Sequence, residues 1–161
     1  MIIVFNSSPL IFLSKLNIIK QAFDLFSEVI IPVYVREEIL RKEDITSDKL
    51  ETLVSLANVN VVKAKNFYMV NALCGKLGRG ESEAIVVAIE QSADFVILDD
   101  HVARVQACRI GLNVKGTLGI IKRLMELAVI QYDMENLYQD LSAMKFRVKR
   151  SILDEIFRGM G

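Results

Sequence analysis

Acidic side chains in this sequence stand at or near the ends of predicted strands and helices. They are Glu38, Glu81, Asp99 and Asp100, and an amide, Asn6, stands at an equivalent place. Ligands that offer only oxygen atoms suit hard cations such as Mg²⁺ and Mn²⁺. Two such ions about 3.5–4 Å apart can activate a water and stabilise the leaving oxygen when a phosphodiester is hydrolysed. These residue types therefore favour phosphodiester cleavage, provided that the fold brings them together.

The first of these residues follows the opening strand of the chain. Residues 1–5 form a continuous apolar run, which is typical of a strand that is buried on both faces of a parallel sheet. Asn6 then stands at the carboxyl end of that strand, where open parallel sheets bind ligands. Ser7 or Ser8 is predicted to cap the next helix, and Pro9 suits its first turn.

A glycine-rich break, Gly78-Arg79-Gly80, precedes a predicted helix over residues 81–91. Glu81 heads the apolar stripe of that helix, so its carboxylate should lie on the buried side. The helix dipole also favours a carboxylate in the first turn, so a capping role and a functional role both stay open for Glu81. The break is not a phosphate-binding P-loop, because no Gly-Lys-Ser/Thr follows it.

Two adjacent carboxylates, Asp99 and Asp100, follow a predicted strand over residues 94–98 and open another helix. They therefore occupy the same kind of position as Asn6. One of the two could be a helix cap, since Asp is common there. Adjacent carboxylates repel each other, which suggests that a cation relieves the repulsion.

Basic residues near these acids have more than one open role. Arg104 could neutralise a substrate phosphate or pair with Asp100. Arg79 and Lys76 fit either rim contacts to backbone phosphates or solvated charges. His101 is expected to be a surface histidine rather than a proton carrier.

The composition bounds the class of protein. The chain has 161 residues, of which 52% are hydrophobic, and its 20 basic and 20 acidic residues cancel. This length fits one domain, for which one core is the simplest expectation. No stretch approaches the ~20 apolar residues of a membrane span, and no signal peptide is recognised, which predicts a soluble cytoplasmic protein. Cys74 and Cys108 lack metal-site spacing and are expected to be buried.

Strand and helix patterns alternate along the chain, which predicts a three-layer α/β/α sandwich with a mainly parallel sheet. Further strands are expected at residues 29–31 and, as an edge strand, at residues 58–62. Further helices are expected over residues 33–42, 46–57 (capped by Thr46 or Ser47), 67–73, 118–127 and 134–144. Residues 1–145 should form the domain, and residues 146–161, with a basic patch at Arg147, Lys149 and Arg150, should form a helical tail packed on it.

Several segments together resemble the PIN-domain proteins, which include the VapC-like toxin ribonucleases. The segment from Asn6 to Ile11 is similar to the Asp-Thr-Ser-Pro-Leu-Ile opening of that family. Residues 31–39 are similar to its second motif, and residues 97–100 with Ala103-Arg104 to its fourth. The Leu-Gly-x-Gly-Glu segment at residues 77–81 is similar to its third motif. This segment and the Leu-Asp-Asp segment are specific when they occur together. Residues 111–119, which include Gly116-Thr117, and the tail also resemble one PIN subgroup, which is found beside small antitoxin genes.

This resemblance implies an endoribonuclease that uses Mg²⁺ or Mn²⁺ and three or four acidic ligands. It implies RNA as substrate, a small antitoxin protein as partner and a homodimer. The motif match favours Glu38 over Glu37, which helical angles do not separate. Carried over by position, the catalytic residues are Glu38, Glu81 and Asp100. The metal ligands are Asn6, Glu81, Asp99 and Asp100, and the substrate contacts are Ser7, Arg79 and Arg104.

The departure from the family is Asn6, which stands where the family has its first aspartate. An amide oxygen can coordinate a metal, but one negative charge is missing, and the affinity for Mg²⁺ depends on ligand charge. Metal binding and cleavage are therefore predicted to be weak or absent. A module that binds RNA or protein without cutting is the alternative. The third hypothesis is an α/β domain whose acidic residues are only helix caps and surface charges.

Overall fold

The computed structural model describes residues 1–42 and 44–160. Within them, five strands form one sheet in which every paired neighbour is parallel. The strands are β1 (Ile2–Phe5), β2 (Glu28–Pro32), β3 (Val59–Val62), β4 (Phe95–Ile97) and β5 (Val114–Lys115). Their order across the sheet is β3-β2-β1-β4-β5, so β3 is an edge strand as predicted.

The helices connect the strands and cover the sheet. The bounds are α1 (Ser7–Lys15), α2 (Ile19–Phe23), α3 (Val33–Leu40), α4 (Ile45–Leu53), α5 (Phe67–Cys74), α6 (Arg79–Glu90), α7 (His101–Ile110), α8 (Thr117–Glu126), α9 (Met134–Ala143) and α10 (Arg150–Ile156). Strands that alternate with helices around a parallel sheet confirm the predicted three-layer architecture.

The strand order places β1 at the centre of the sheet. From β1 the chain first builds outward through β2 and β3, and it later returns to the other side of β1 with β4 and β5. Ile3 is opposite Val29 on one side and Phe95 on the other. The carboxyl ends of β1 and β4 therefore flank the point where the winding reverses, which is where open α/β sheets bind ligands.

Two hydrophobic clusters, one on each face of the sheet, replace the one core that the length suggested. Ile3 and Phe5 point into the larger cluster, together with residues of α1 to α4 and α8 to α10. Val4, between them, points into the smaller cluster, which α5, α6 and α7 cover. This alternation on a strand without exposed faces explains the continuous apolar run at the start of the chain.

The end of the chain packs on the larger cluster. Leu153 of α10 and Phe157 just after it are buried there. Arg150, at the start of α10, donates to Glu135 of α9 at 2.6 Å and to Asp154 at 3.0 Å. One ion pair, between Arg150 and Glu135, thus joins the last two helices, and apolar contacts join them to the larger cluster.

The predicted helix caps are wrong at two helices. Ser7 lies inside α1, and the capping position is Asn6, whose side chain makes no capping hydrogen bond. Helix α4 is capped by Asp44, whose carboxylate accepts hydrogen bonds from the Thr46 and Ser47 amides. Asp is a stronger cap than Thr, so the helix begins earlier than the apolar pattern indicates.

Two surface properties complete the fold. Cys108 is exposed and Cys74 is partly exposed, so the expectation that both are buried is wrong. No helix in the described ranges is long and apolar enough to span a membrane.

Candidate functional site

Asn6 occupies the centre of the sheet's carboxyl edge and is only 3% exposed. Its backbone N–H donates to the Ile97 carbonyl at 3.2 Å, which joins the ends of β1 and β4. The side-chain oxygen of an N-cap residue usually accepts from the second or third residue of the helix. The third residue of α1 is Pro9, which has no N–H. The Asn6 Oδ1 atom has no hydrogen-bond partner among the described residues.

Glu38 faces the same small space as Asn6. A Cβ atom built on Gly80, in the first turn of α6, would lie 3.0 Å from Glu38 Oε2 and 3.2 Å from Asn6 Oδ1. The absence of a side chain at this position therefore lets α6 approach the end of β1 and helix α3. Both oxygens are acceptors, so their convergence favours a cation or a donor between them. Glu37, by contrast, is exposed and lies 3.8 Å from Arg41.

Glu81 has both of the roles that the sequence left open. Its Oε2 atom accepts the backbone N–H of Gly78 at 2.9 Å, as a glutamate in a capping box does. Burial raises the pKa of the Glu81 carboxyl above 4.5, and the hydrogen bond from Gly78 opposes this rise. The negative charges of Asp100 and Glu38 raise the pKa further. Glu81 is therefore a helix cap that also belongs to an acidic cluster.

Asp99 is held by the start of α8. The Thr117 amide donates to its Oδ1 at 2.8 Å, and the Thr117 hydroxyl donates to its Oδ2 at 2.6 Å. Burial nevertheless raises the pKa of the Asp99 carboxyl, against the opposing hydrogen bonds of Thr117 and the charge of Arg104. Both oxygens are already engaged, so Asp99 joins the end of β4 to α8.

Asp100 points to a different place from Asp99. It is exposed and caps α7 by accepting the Ala103 amide at 2.8 Å. Its charge raises the pKa of Glu81, which places it in the acidic cluster. Hydrogen bonds from two different helices therefore hold the adjacent carboxylates, so their sequence proximity alone does not require a cation between them.

The predicted substrate residues lie in three different environments. Arg79 is paired with the buried Glu83 at 3.1 Å and lies over the Tyr34 ring, with its Cζ 5.7 Å from the ring centroid. Arg104 donates to the Leu98 carbonyl at 3.1 Å. In the described ranges it forms no ion pair with Asp100, so that alternative is wrong. Ser7 is buried at the start of α1, and Lys76 and His101 are exposed.

Sequence reasoning missed the residues that hold the acids in place. Gly80 makes room for Glu38 and Asn6, and Thr117 binds Asp99. Glu83 anchors Arg79 and is only 6% exposed. The Gly116-Thr117 pair carried a signal, because it repeats the pattern of a strand followed by a helix start. No local pattern shows that Glu83 is buried.

Donor chemistry at this edge fits a hard cation, since an orphaned amide oxygen and carboxylates face one space. The described residues hold no group of three or more His, Cys, Asp or Glu that is arranged to bind a metal ion.

A family model described as PIN domain matches residues 2–161. No curated protein matched the chain in a sequence search.

Replacing Thr117 by Val should destabilise the protein by about 1–3 kcal/mol, because the Asp99 carboxylate then loses its hydroxyl donor within a buried site. The loss should be larger at neutral pH than at low pH, where Asp99 is protonated. Urea unfolding at both pH values measures it. The matched control is Thr52→Val, which removes an exposed hydroxyl bonded to the Asp48 carbonyl and should change stability by less than about 0.5 kcal/mol. Equal effects of the two variants would contradict the role assigned to Thr117.

The raised pKa of Glu81 predicts a dependence of stability on pH. A carboxyl with a raised pKa binds its proton more tightly in the folded state, so its contribution to stability falls as the pH rises through and above 4.5. The Glu81→Gln variant keeps an acceptor for the cap but cannot titrate. It should therefore gain stability relative to the wild type as the pH increases, measured by urea unfolding in EDTA.

Glu135 on α9 provides a control, because its substitution should change stability in the opposite direction. The hydrogen bond from Arg150 lowers the pKa of Glu135, and a second one from Gln139 adds to this. Glu135→Gln should therefore lose stability relative to the wild type as the pH rises. If Glu81→Gln also loses stability, Glu81 does not lie in a buried acidic cluster.

Proposed function

Because the chain belongs to the PIN domain family, whose fold is nuclease-like, we propose that it is a metal-dependent endoribonuclease of the toxin–antitoxin type, weakened by Asn6. The observation that carries this proposal is the convergence of Asn6 and Glu38 at Gly80, beside Glu81 and Asp100. The cluster lies at the carboxyl edge of the sheet, where such folds bind ligands. A small antitoxin, a homodimer and the VapC-like subgroup belong to the same proposal.

The metal would be Mg²⁺ or Mn²⁺, held by Asn6, Glu38, Glu81 and Asp100. A bound ion of this kind activates water and stabilises the leaving oxygen of a phosphodiester. Asp100 is preferred to Asp99 as a ligand, because Thr117 occupies both oxygens of Asp99. The main role of Asp99 would be to position the loop that carries Asp100.

The protein's own groups support phosphodiester chemistry in two ways. Burial and the negative charges of Asp100 and Glu38 raise the pKa of Glu81, and a bound cation would relieve that repulsion. Arg104, next to Asp99, and Arg79, fixed by Glu83, supply positive charge near the acidic cluster. Such charges neutralise the phosphates that flank a scissile bond.

A second candidate is a PIN-like module that binds RNA or a protein without cutting. It is favoured by one specific observation: within the described residues, no group of three acidic or other ligating side chains is arranged around one metal position. Asn6 carries no charge, whereas an aspartate at this position would add one negative charge to the cluster. The two candidates differ in whether the protein cleaves RNA when metal is added.

We expect slow, metal-dependent cleavage of single-stranded RNA by the wild-type protein. Glu38→Gln should reduce the rate about tenfold or more, because it removes charge from the metal site. Glu37→Gln changes the neighbouring residue in the same way but alters only an exposed partner of Arg41. It should leave the rate within about twofold. A labelled RNA incubated with Mn²⁺ or with EDTA measures both rates.

Cleavage that persists in EDTA, or that Glu38→Gln leaves unchanged, would contradict the proposal. Fast cleavage by the wild type, abolished by Glu81→Ala, would support a nuclease but contradict the weakening assigned to Asn6. RNA binding without any cleavage in Mn²⁺ would select the second candidate.

A further inference from the structure

A groove of about 670 Å³ adjoins the candidate site, because Asp99 and Arg104 lie in its lining. The rest of the groove's lining has no part in the proposed chemistry. Its walls are the end of β5, the starts of α7 and α8, and the segment from residue 146 to α10. Basic side chains in the lining are Arg104, Lys115, Arg147 and Lys149, and His101 lies among them.

Two of these cations are free to meet a ligand. Arg147 and Lys149 are exposed, and neither forms an ion pair in the part of the chain that the structure describes. They alternate with Phe146 and Val148, which are partly buried and pack on the larger cluster. This alternation leaves the side chains of Arg147 and Lys149 on the exposed side of the segment.

Other basic residues nearby are already engaged. Arg150, the third member of the basic patch, is paired with Glu135 and Asp154. Lys115 lies over the Phe95 ring, with Nζ 4.8 Å from its centroid. The chain as a whole has no net charge, so the free charge in the groove is a local feature.

Arg104 reaches into the groove because Gly116 has no side chain. A Cβ atom built on Gly116 would lie 2.5 Å from an Arg104 guanidinium nitrogen and 3.0 Å from Asp99 Oδ1. The guanidinium group therefore lies beside Asp99 and in the lining of the same groove as Arg147 and Lys149. Positive charge extends from Arg104 to Lys149 along one groove.

We infer that this groove holds the backbone of a single RNA strand that runs away from the candidate active site. The inference rests on the proposed function, because it takes RNA as the substrate. Phosphates along a strand require successive cations beside the cleavage site. The groove supplies them through the segment at residues 146–149, which lies outside the acidic motifs of the sequence.

Apolar side chains also line the groove, and most of them belong to the packed core of the fold. Leu118, Phe146 and Ile156 pack against the larger cluster, and Phe146 is in edge-to-face contact with Phe12 at 4.8 Å. Among the described residues of the lining, Ile152 is the one apolar residue that is strongly exposed, at 46%. RNA is preferred to a protein partner because Arg147 and Lys149 offer positive charge that is unpaired among the described residues, which favours a polyanion.

The test is RNA binding without cleavage. A labelled 20-nucleotide single-stranded RNA of mixed sequence is titrated in EDTA, and its dissociation constant is measured at several salt concentrations. Arg147→Gln/Lys149→Gln should weaken binding about tenfold. It should also lower the slope of log affinity against log salt by about 1.4, since each phosphate contact on a single strand contributes about 0.7.

The control removes the same charge elsewhere. Lys15→Gln/Lys20→Gln changes two exposed lysines, one at the end of α1 opposite Asn6 and the other on α2. It should leave both the affinity and the salt slope close to those of the wild type. Equal losses in the two double variants would overturn the inference, because binding would then depend on net charge alone.

Two further outcomes separate this inference from the proposed function and from a protein partner. Groove-dependent RNA binding with no cleavage in Mn²⁺ would support the groove while the nuclease proposal fails. Cleavage with an unchanged KM in Arg147→Gln/Lys149→Gln would support the nuclease and overturn the groove. A labelled 15-residue Leu/Glu helical peptide serves as the third probe, and groove-dependent binding of this peptide without RNA binding would assign the groove to an acidic protein segment.

Discussion

The candidate site depends on the close approach of α6 to the carboxyl end of β1. This approach is possible because Gly80 presents no side chain towards Glu38 and Asn6. It places the first turn of one helix against a strand end and a second helix, α3. Oxygen atoms of Asn6 and of Glu38 on α3 then face one space. A larger residue at position 80 would have to displace Glu38 or Asn6, which are the two groups closest to it.

Helix starts make this concentration of negative charge stable in the absence of a cation. Glu81 accepts a backbone N–H at the start of α6, Asp100 one at the start of α7, and Asp99 one at the start of α8. Backbone N–H groups and the helix dipole favour a carboxylate at each place. Mutual repulsion and burial still act on Glu81, whose pKa is raised. Hydrogen bonds from helix starts thus hold these three acidic side chains.

Patterns within single elements were predictable from the sequence. The apolar run of β1 follows from burial on both faces, and the position of Asn6 follows from the end of that run. The parallel sheet and the edge position of β3 were predicted correctly. These features depend on periodicity and on strand and helix boundaries, which a sequence shows directly.

Features that depend on contacts between distant elements were not predictable. Helical angles cannot decide between Glu37 and Glu38, whereas packing of α3 against α6 places Glu38 beside Asn6. The two bonds from Thr117 to Asp99 join residues 18 positions apart. The capping position of Asn6 looked ordinary, but Pro9 removes a usual partner of its side chain and leaves the Oδ1 atom unpaired.

We propose that Asn6 is a metal ligand and that, being uncharged, it binds the metal more weakly than an aspartate at the same position would. Calorimetric titration of Mn²⁺ into the wild type and into Asn6→Asp tests it most directly. Asn136→Asp, which adds the same charge on the exposed face of α9, is the control. The account predicts that Asn6→Asp binds Mn²⁺ about tenfold or more tightly than the wild type, whereas Asn136→Asp does not, because affinity depends on the charge of the ligands. Equal affinities for all three proteins would contradict it and would place Asn6 outside any metal site.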